Sequence, residues 1–278
     1  MSRVELHYGA ATDVGQVREV NEDSYLAAPP LFVVADGMGG HDGGDVASRI
    51  VVEEFARLAA DGYDPSRGSQ AVAETLAACH ERITAYAEEQ ARRTGRDFQA
   101  GTTAVVALLV EDDAPHGGTP NWLLANVGDS RIYRFVDGDL EQVSVDHSLV
   151  QELVDEGMLT REEMAVHPAR HVVTRALGGP ELEDADYFLL PLPSAERLVL
   201  CSDGVTEMID DDEVAEILAE ATDPRDAADR LVEAAVRAGG RDNATAVVVD
   251  VMGLERESGY DSERQRVSLE MKLGALPE

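Results

Sequence analysis

The stretch LFVVADGMGGHDGG, residues 31–44, is the part of the sequence from which the fold and the function can be interpreted. Its first five residues are apolar and predict a buried strand, which then presents Asp36 at the rim of a sheet. The glycines that follow allow backbone and solvent to come close to this carboxylate. Two interpretations are open at this point. An Asp-Gly pair after a strand is ordinarily a turn, whereas a metal site would use Asp36 as a ligand.

Composition and charge restrict the class of function. The chain has 278 residues, 44% of them apolar, which is enough for one globular domain with a sizeable core. Its formal net charge is −32, from 23 basic and 55 acidic side chains. This charge repels nucleic acid and anionic membranes, so neither is an expected partner. A solvated, charged surface is the simplest explanation of the acidity, with an acidic binding face as the alternative.

The rare residue types exclude further chemistries. Lys272 is the only lysine, so the body of the chain has no candidate for a lysine-dependent nucleotide-binding loop or a Schiff base. Cys79 and Cys201 are the only cysteines and favour a reducing compartment over a disulfide scaffold. No basic-then-apolar signal opens the sequence, and the longest apolar run, near residues 104–110, is too short to cross a bilayer. A cytoplasmic protein without a membrane span is expected.

Two further strands repeat the pattern of the opening one. RLVLCSDG, residues 197–204, ends an apolar run in Asp203, and RDNATAVVVDV, residues 241–251, places Asp242 just before another. If these strands pair antiparallel, the end of the first lies beside the start of the second, and both carboxylates share one rim. Asp129 follows a third apolar strand in the same way, within NVGDSR.

Helical patterns separate these strands. Apolar residues recur at helical spacing soon after the opening stretch and again from about 69 to 93. Two helices in succession argue against a simple alternating parallel sheet. Helical spacing returns at 214–218 and 228–236. Residues 146–179 have the character of a surface excursion. Its histidines, His147 among them, lack metal-ligand spacing, and most of them are expected to be ordinary.

The three strand-end aspartates, Asp36, Asp203 and Asp242, suggest a metal centre. Carboxylate, carbonyl and water oxygens are the ligands of hard divalent ions such as magnesium or manganese. Without a nearby lysine the cluster needs cations, because like charges at short range raise one another's pKa. Two ions about 3.5–4 Å apart can activate a shared water for in-line displacement at phosphorus. Arg18, in DVGQVREVNED, would then bind the phosphoryl oxygens, although a charged turn is ordinarily only solvated.

Seven motifs together resemble a known family. DVGQVREVNED, ADGMGGHDGGDVA, GTTAVV, NVGDSRIY, TRALG, LCSDG and RDNATAVVV occur in the order and spacing of the bacterial metal-dependent Ser/Thr protein phosphatases of type 2C. The resemblance covers about residues 5 to 251. It implies an α+β fold, a four-layer α/β/β/α sandwich of two antiparallel sheets flanked by antiparallel helix pairs. It also implies a binuclear manganese or magnesium centre whose bridging water hydrolyses phosphoserine or phosphothreonine without a phosphoenzyme.

The resemblance also implies the metal ligands, position by position. Asp36 resembles the carboxylate that bridges both metal ions, and Gly37 resembles the residue that donates its carbonyl oxygen. Asp203 and Asp242 resemble the remaining carboxylate ligands. These assignments rest on the matching motifs and are predictions for this chain.

Further roles follow from the same resemblance. Glu22 and Asp23 resemble the residues that hold metal-bound waters, and Arg18 resembles the phosphate-binding arginine. Asp129 resembles the ligand of a third, weaker metal ion of bacterial members. The excursion at 146–179 resembles their mobile flap.

One position departs from the pattern of animal members. These place a histidine, proposed as the general acid, directly after the metal-binding Asp-Gly, and here that residue is Met38. Methionine cannot donate a proton, so the leaving group must be protonated by metal-bound water or by a nearby group such as His41.

The expected catalytic domain spans residues 1–252, and residues 253–278 form a tail that is disordered or adds an edge strand. The expected partners are phosphorylated proteins, including Ser/Thr kinases and their substrates, and the chain is expected to be a monomer. Two alternatives share the fold: a catalytically silent module that recognises phosphoproteins, and a phosphatase that acts on an anti-sigma antagonist. Complete metal-ligand candidates argue against the first, and the Arg18 motif and the flap-like segment argue against the second.

Overall fold

The structure is a computed structural model, and it describes residues 4–39, 43–111, 120–182, 184–192 and 197–252. Two predictions fall outside these residues: His41 as a proton donor, and the tail 253–278 as a disordered segment or an added edge strand.

Eleven strands lie within the described residues. In chain order they are β1 Glu5–Asp13, β2 Asp23–Ala28, β3 Leu31–Met38, β4 Gly101–Thr102, β5 Ala104–Glu111, β6 Pro120–Val127, β7 Arg131–Val136, β8 Asp139–Gln142, β9 Asp186–Pro191, β10 Arg197–Cys201 and β11 Ala244–Met252. Sheet I has the order β2-β3-β5-β6-β9, with β4 paired to β3, and sheet II has the order β1-β11-β10-β7-β8. All of these pairs are antiparallel.

Seven α-helices connect these strands in the same part of the chain. They are α1 Gly44–Asp61, α2 Gly68–Thr94, α3 Leu149–Asp155, α4 Arg161–Ala165, α5 Asp203–Thr206, α6 Asp211–Glu220 and α7 Pro224–Arg237. The predicted helix over 69–93 is confirmed as α2, which buries the apolar stripe Val72, Leu76, Cys79 and Ile83. No described helix combines the length and the hydropathy that crossing a membrane requires.

Three apolar layers hold the sandwich together. The first lies between sheet I and the pair α1 and α2, and it contains Phe55 and Leu108. The second lies between sheet II and the pair α6 and α7, and it contains Leu231. The third fills the space between the sheets, where Phe32 meets Trp122 edge to face at 6.0 Å between ring centroids. The predicted four-layer α/β/β/α sandwich is therefore confirmed.

The strand pairing determines where the carboxylates lie. Strands β10 and β11 pair antiparallel, with Cys201 opposite Ala246, as the sequence predicted. Asp203 follows the end of β10 and Asp242 precedes the start of β11, so both lie at one rim of sheet II. In sheet I, Asp23 at the start of β2 lies opposite Asp36 near the end of β3. Each sheet thus contributes two aspartates.

The segment 146–179 leaves the sandwich between β8 and β9 and contains α3 and α4. Its two ends meet, because Ser148 bridges Val173 and the Thr174 N–H donates to the His147 carbonyl at 2.8 Å. It therefore forms a closed excursion on the surface. Its assignment as a mobile flap remains a prediction.

Candidate metal centre

Hydrogen bonds join the two sheets at the rim that carries the aspartates. The Ser202 hydroxyl donates to Oδ2 of Asp23 at 2.7 Å and accepts the Thr245 N–H at 3.0 Å. The Glu22 N–H donates to Oδ1 of Asn243 at 2.8 Å. We call these five residues the polar seam. Asp23 begins β2 of sheet I and Glu22 directly precedes it, whereas Ser202, Asn243 and Thr245 lie in or next to strands β10 and β11 of sheet II. The polar seam therefore brings the carboxylates of both sheets together.

The carboxylates form one cluster at this seam. Asp36 hydrogen-bonds Asp203, and the charges of Asp23 and Asp129 act on Asp36 as well. Oδ1 of Asp23 and Oδ1 of Asp203 are buried without a hydrogen-bond partner among the described residues. A buried carboxylate oxygen without a partner is energetically costly, so these atoms are suited to a cation ligand.

Burial dominates the titration of this cluster. It raises the pKa of Asp23 to about 7, of Asp129 to about 8 and of Asp203 to about 6, and it raises the pKa of Asp36 well above its usual value. Neighbouring carboxylates, among them Asp203 acting on Asp36 and Asp129, add to the effect. The cluster thus concentrates negative charge that protons or metal ions must compensate.

Arg18 lies at the edge of the cluster with its side chain half exposed. Its Nη2 donates to Oδ2 of Asp242 at 2.7 Å, and this hydrogen bond is the main cause that raises the pKa of Arg18. The other oxygen of Asp242 accepts the Asn243 N–H at 2.8 Å. The charges of Glu22 and Asp36 also act on the guanidinium. An exposed arginine beside a carboxylate cluster is well placed to receive an anionic substrate.

The carboxylates are not arranged as a preformed ligand set. Within the described ranges, no three Asp, Glu, His or Cys side chains have the spacing of a metal site. Asp36 instead shares a hydrogen bond with Asp203, and Asp242 faces Arg18. The residue types and the unpartnered oxygens nevertheless fit a hard divalent ion. To bind it, Asp36 and Asp203 would give up their mutual hydrogen bond, and Asp242 would give up its contact with Arg18.

A cleft of about 620 Å³ opens beside the cluster. Asp129, Asp203 and Glu207 line it. Arg161 and Arg170, from the segment 146–179, line it as well. The cleft therefore lies between the carboxylate rim and the excursion.

The structure brings together the residues that the sequence singled out as ligands and as the phosphate contact. Glu22, Asp23, Asp36, Asp129, Asp203, Asp242 and Arg18 act electrostatically on one another, and Gly37 follows Asp36 in β3. Met38 pairs with Gly101 in β4 and has no proton to donate. The roles of these residues as ligands remain predictions.

Sequence reasoning missed the residues that organise the cluster. Asn243 bonds Glu22 and also donates from Nδ2 to the carbonyls of Val14 and Val20, both at 3.0 Å, which holds the loop that carries Arg18. Ser202 was missed too. Its position directly before Asp203 was the only signal, because a serine at a strand end is not distinctive.

Comparisons with known proteins agree with this site. A family model described as protein phosphatase 2C matches residues 16–237. The serine/threonine protein phosphatase PstP of Mycobacterium tuberculosis is 38% identical over 254 residues, which cover 91% of this chain and 46% of that protein. The serine/threonine phosphatase stp of Listeria monocytogenes is 34% identical over 257 residues, which cover 88% of this chain and 96% of that protein. The chain thus spans about half the length of the first relative.

A solved structure shares the fold. The crystal structure of the catalytic domain of PstP in complex with two manganese ions matches with a TM-score of 0.75 and 36% identity, covering 90% of this chain and 100% of that one. On the family match, the two relatives and this shared fold, the chain belongs to the protein phosphatase 2C family of serine/threonine protein phosphatases.

Proposed function

We propose that this chain is a metal-dependent phosphatase that hydrolyses phosphoserine and phosphothreonine in proteins. The observation that carries the proposal is the buried carboxylate cluster, which has unpartnered oxygens on Asp23 and Asp203 and has Arg18 at its edge. Membership of the protein phosphatase 2C family supports it. The manganese ions in the related PstP structure support the choice of metal.

The residues divide into ligands and substrate contacts. Asp36, Gly37, Asp203 and Asp242 would hold two manganese or magnesium ions, with Glu22 and Asp23 behind them and Asp129 at a third, weaker position. When bound, such ions activate water for attack on phosphorus and neutralise the phosphoryl oxygens. Arg18, released from Asp242, would hold the phosphoryl oxygens through its planar guanidinium.

The surroundings of the cluster suggest the substrate class. The cleft beside Asp129 and Asp203 is open enough for a phosphorylated loop, and the segment 146–179 would act as the flap over it. The expected substrates are therefore phosphoproteins, including Ser/Thr kinases and the proteins they phosphorylate in a cytoplasmic signalling pathway. A monomer suffices for this chemistry, since all the proposed ligands come from one chain.

The proposal is tested with a phosphothreonine peptide. Phosphate release is expected with Mn²⁺, and it is expected to fall below detection with a chelator and in Asp203→Asn, because the variant loses a charged ligand while keeping the shape of the side chain. Arg225→Gln, which changes an exposed surface arginine that pairs with Asp223, serves as the matched control and is expected to keep wild-type activity.

Activity that survives the chelator or Asp203→Asn would contradict the assignment. A wild-type chain that binds Mn²⁺ in calorimetry but releases no phosphate from several phosphopeptides would favour the silent binding module instead.

A further inference from the structure

His147 lies where the segment 146–179 leaves the sandwich, and only 5% of the residue is exposed. Its ring Nδ1 accepts the Gly128 backbone N–H at 3.1 Å, and the backbone N–H of His147 donates to the Gly128 carbonyl at 2.9 Å. One residue therefore binds both backbone polar groups of Gly128. Gly128 directly precedes Asp129, a carboxylate that lines the cleft.

The hydrogen bonds determine which nitrogen of the ring carries a proton. A backbone N–H can only donate, so Nδ1 of His147 must be unprotonated, and in the neutral ring Nε2 carries the hydrogen. Nε2 lies 3.3 Å from Oδ2 of Asp186 and 3.3 Å from Nη1 of Arg175, which pairs with the other oxygen of Asp186 at 3.2 Å. Because a guanidinium can only donate, the Nε2 hydrogen is directed at Asp186 and not at Arg175. Asp186 thus holds the ring in the orientation that presents Nδ1 to Gly128.

The backbone around Gly128 has little freedom to adopt another position. Its φ angle is +104°, and a Cβ at this position would lie 2.5 Å from Cγ2 of Thr103. Three residues after Gly128, Arg131 makes a bidentate ion pair with Asp146, with the Nε–Oδ1 distance at 3.0 Å and the Nη2–Oδ2 distance at 2.8 Å. The loop that carries Asp129 is therefore bound to the neighbourhood of His147 on both sides of the carboxylate.

His147 also contacts the far end of the excursion. Its carbonyl accepts the Thr174 N–H at 2.8 Å, and Leu149 N–H donates to the Val172 carbonyl at 2.9 Å beside it. The same residue thus contacts both ends of the segment and the loop that carries Asp129.

We propose that His147 is a positioning residue that holds Asp129 in place through Gly128 and couples it to the ends of the segment 146–179. This inference rests on the proposed function in one respect, namely that Asp129 binds a metal ion. A buried histidine with a purely structural role would affect global stability alone. A positioning role predicts a specific effect on metal affinity and on the Gly128 amide.

Two substitutions separate the nitrogens of the ring. His147→Asn places an amide oxygen near the position of Nδ1 and keeps an acceptor for Gly128. In His147→Gln the longer side chain reaches toward Asp186 and places no acceptor near the Gly128 N–H. We expect His147→Gln to weaken Mn²⁺ binding in calorimetry by roughly 10–100-fold and to speed hydrogen exchange of the Gly128 amide. His147→Asn is expected to stay within about threefold of the wild type, because the Gly128 hydrogen bond is retained.

His80 provides the matched control, because its Nδ1 accepts the Gly178 N–H at 3.3 Å, the same kind of hydrogen bond, on helix α2. His80→Gln is expected to leave Mn²⁺ affinity and Gly128 exchange unchanged. Wild-type affinity and exchange in His147→Gln would overturn the inference, as would an equal loss in His80→Gln.

If both His147 variants fail to fold, Asp186→Ala decides the matter. It removes the carboxylate that accepts the Nε2 proton and orients the ring, whereas the amide oxygen of an asparagine would still accept that proton. Reduced Mn²⁺ affinity with faster Gly128 exchange supports the inference, and wild-type affinity with unchanged Gly128 exchange overturns it. A wild-type protein without phosphatase activity would refute the proposed function, whereas these measurements of binding and exchange would still test the positioning role.

Discussion

At the scale of single residues, Asp23 shows how burial changes the pKa of a carboxyl group in the site. One of its oxygens accepts the Ser202 hydroxyl, which anchors it across the sheets, while the other is buried without a partner among the described residues. Burial therefore raises the pKa of Asp23 to about 7, although the hydrogen bonds of Thr245 and Ser202 oppose the shift. In the absence of metal, this carboxyl titrates near neutral pH.

The shifted carboxyls predict how the stability of the metal-free protein depends on pH. The ordinary pKa of aspartate is 3.8, whereas in the folded chain Asp203, Asp23 and Asp129 titrate at about 6, 7 and 8. Between these values the folded state binds more protons than the unfolded state, so the free energy of unfolding falls as pH rises from about 4 to 8. In chelator, the Tm should fall from pH 5.5 to 8, by an amount that corresponds to a few kcal/mol in order of magnitude.

Added Mn²⁺ should reverse this trend, because metal binding requires deprotonated carboxylates. Asp129→Asn removes one of the shifted groups, and its metal-free Tm should decline less steeply with pH than that of the wild type. A Tm in chelator that rises over this range, or an identical slope in the variant, would contradict the assignment of the shifts.

Arg18 is the residue whose substitution separates substrate binding from metal binding. Loss of a charged hydrogen-bond donor to the phosphoryl group in Arg18→Ala should lower kcat/KM for a phosphopeptide by roughly 10–100-fold. Because the guanidinium occupies Asp242, its removal should leave Mn²⁺ affinity equal or higher in calorimetry. Reduced Mn²⁺ affinity would instead show that Arg18 organises Asp242. Arg18→Lys keeps the charge without the planar fork and should be intermediate.

At the scale of elements, the turn from β10 into α5 fixes the position of Asp203. Gly204 packs so tightly on the approach to β11 that a Cβ there would lie 1.9 Å from the Asn243 carbonyl oxygen. Asn243 in turn bonds Glu22 and the loop before it. The close contact therefore holds Asp203 against the polar seam.

Gly204→Ala should separate α5 from β11, because the obstructing atom belongs to the backbone and cannot rotate away. We expect a loss of about 1–3 kcal/mol in the free energy of unfolding and reduced Mn²⁺ affinity, measured by denaturation in chelator and by calorimetry. Gly179→Ala is the control, since its Cβ would meet only ordinary contacts at 3.5 Å or more. Equal behaviour of the two variants would show that the contact at Gly204 is dispensable.

At the scale of the whole molecule, apolar layers oppose a large net charge. Three cores hold four layers together, but the chain carries a formal charge of −32. Self-repulsion on this scale destabilises a compact state, and salt screens it with a Debye length near 10 Å at 0.1 M.

The Tm of the metal-free protein should therefore rise when sodium chloride increases from about 0.01 to 0.3 M, a range over which the Debye length falls from roughly 30 Å to below 8 Å. Calorimetry or fluorescence in chelator measures the change. The same titration at pH 4.5, where many carboxyls are neutral, should give a smaller rise. A Tm independent of salt at pH 7.5 would show that surface repulsion does not limit stability.

The sequence predicted those parts of the fold and site that have a periodic or positional pattern. The stripe of Val72, Leu76 and Cys79 was enough for α2, and the apolar runs before Asp36 and Asp203 were enough for β3 and β10. The polar seam was not predictable in this way. Ser202 and Asn243 act through contacts between residues more than 170 positions apart, and no local pattern encodes them.

His147 was interpreted as an ordinary histidine because metal-ligand spacing was absent. Its connections run to Gly128, Thr174 and Asp186, which are brought to it only by the folded chain. Spacing along the sequence tests for a direct ligand and misses a residue that acts through a backbone amide.

The equal division of the aspartates between the two sheets has a mechanical consequence. Ions bound there would join the two sheets at one end of the sandwich, whereas apolar residues such as Val251 pack between the sheets toward the opposite end. Strand β11 runs from Ala244, next to the carboxylate cluster, to Met252 at the opposite end of the sandwich. Protection of the β11 amides from hydrogen exchange on addition of Mn²⁺ should then be largest at Ala244 and Ala246 and decrease toward Val249. The position at which the protection ends would measure how far metal binding stabilises the strand.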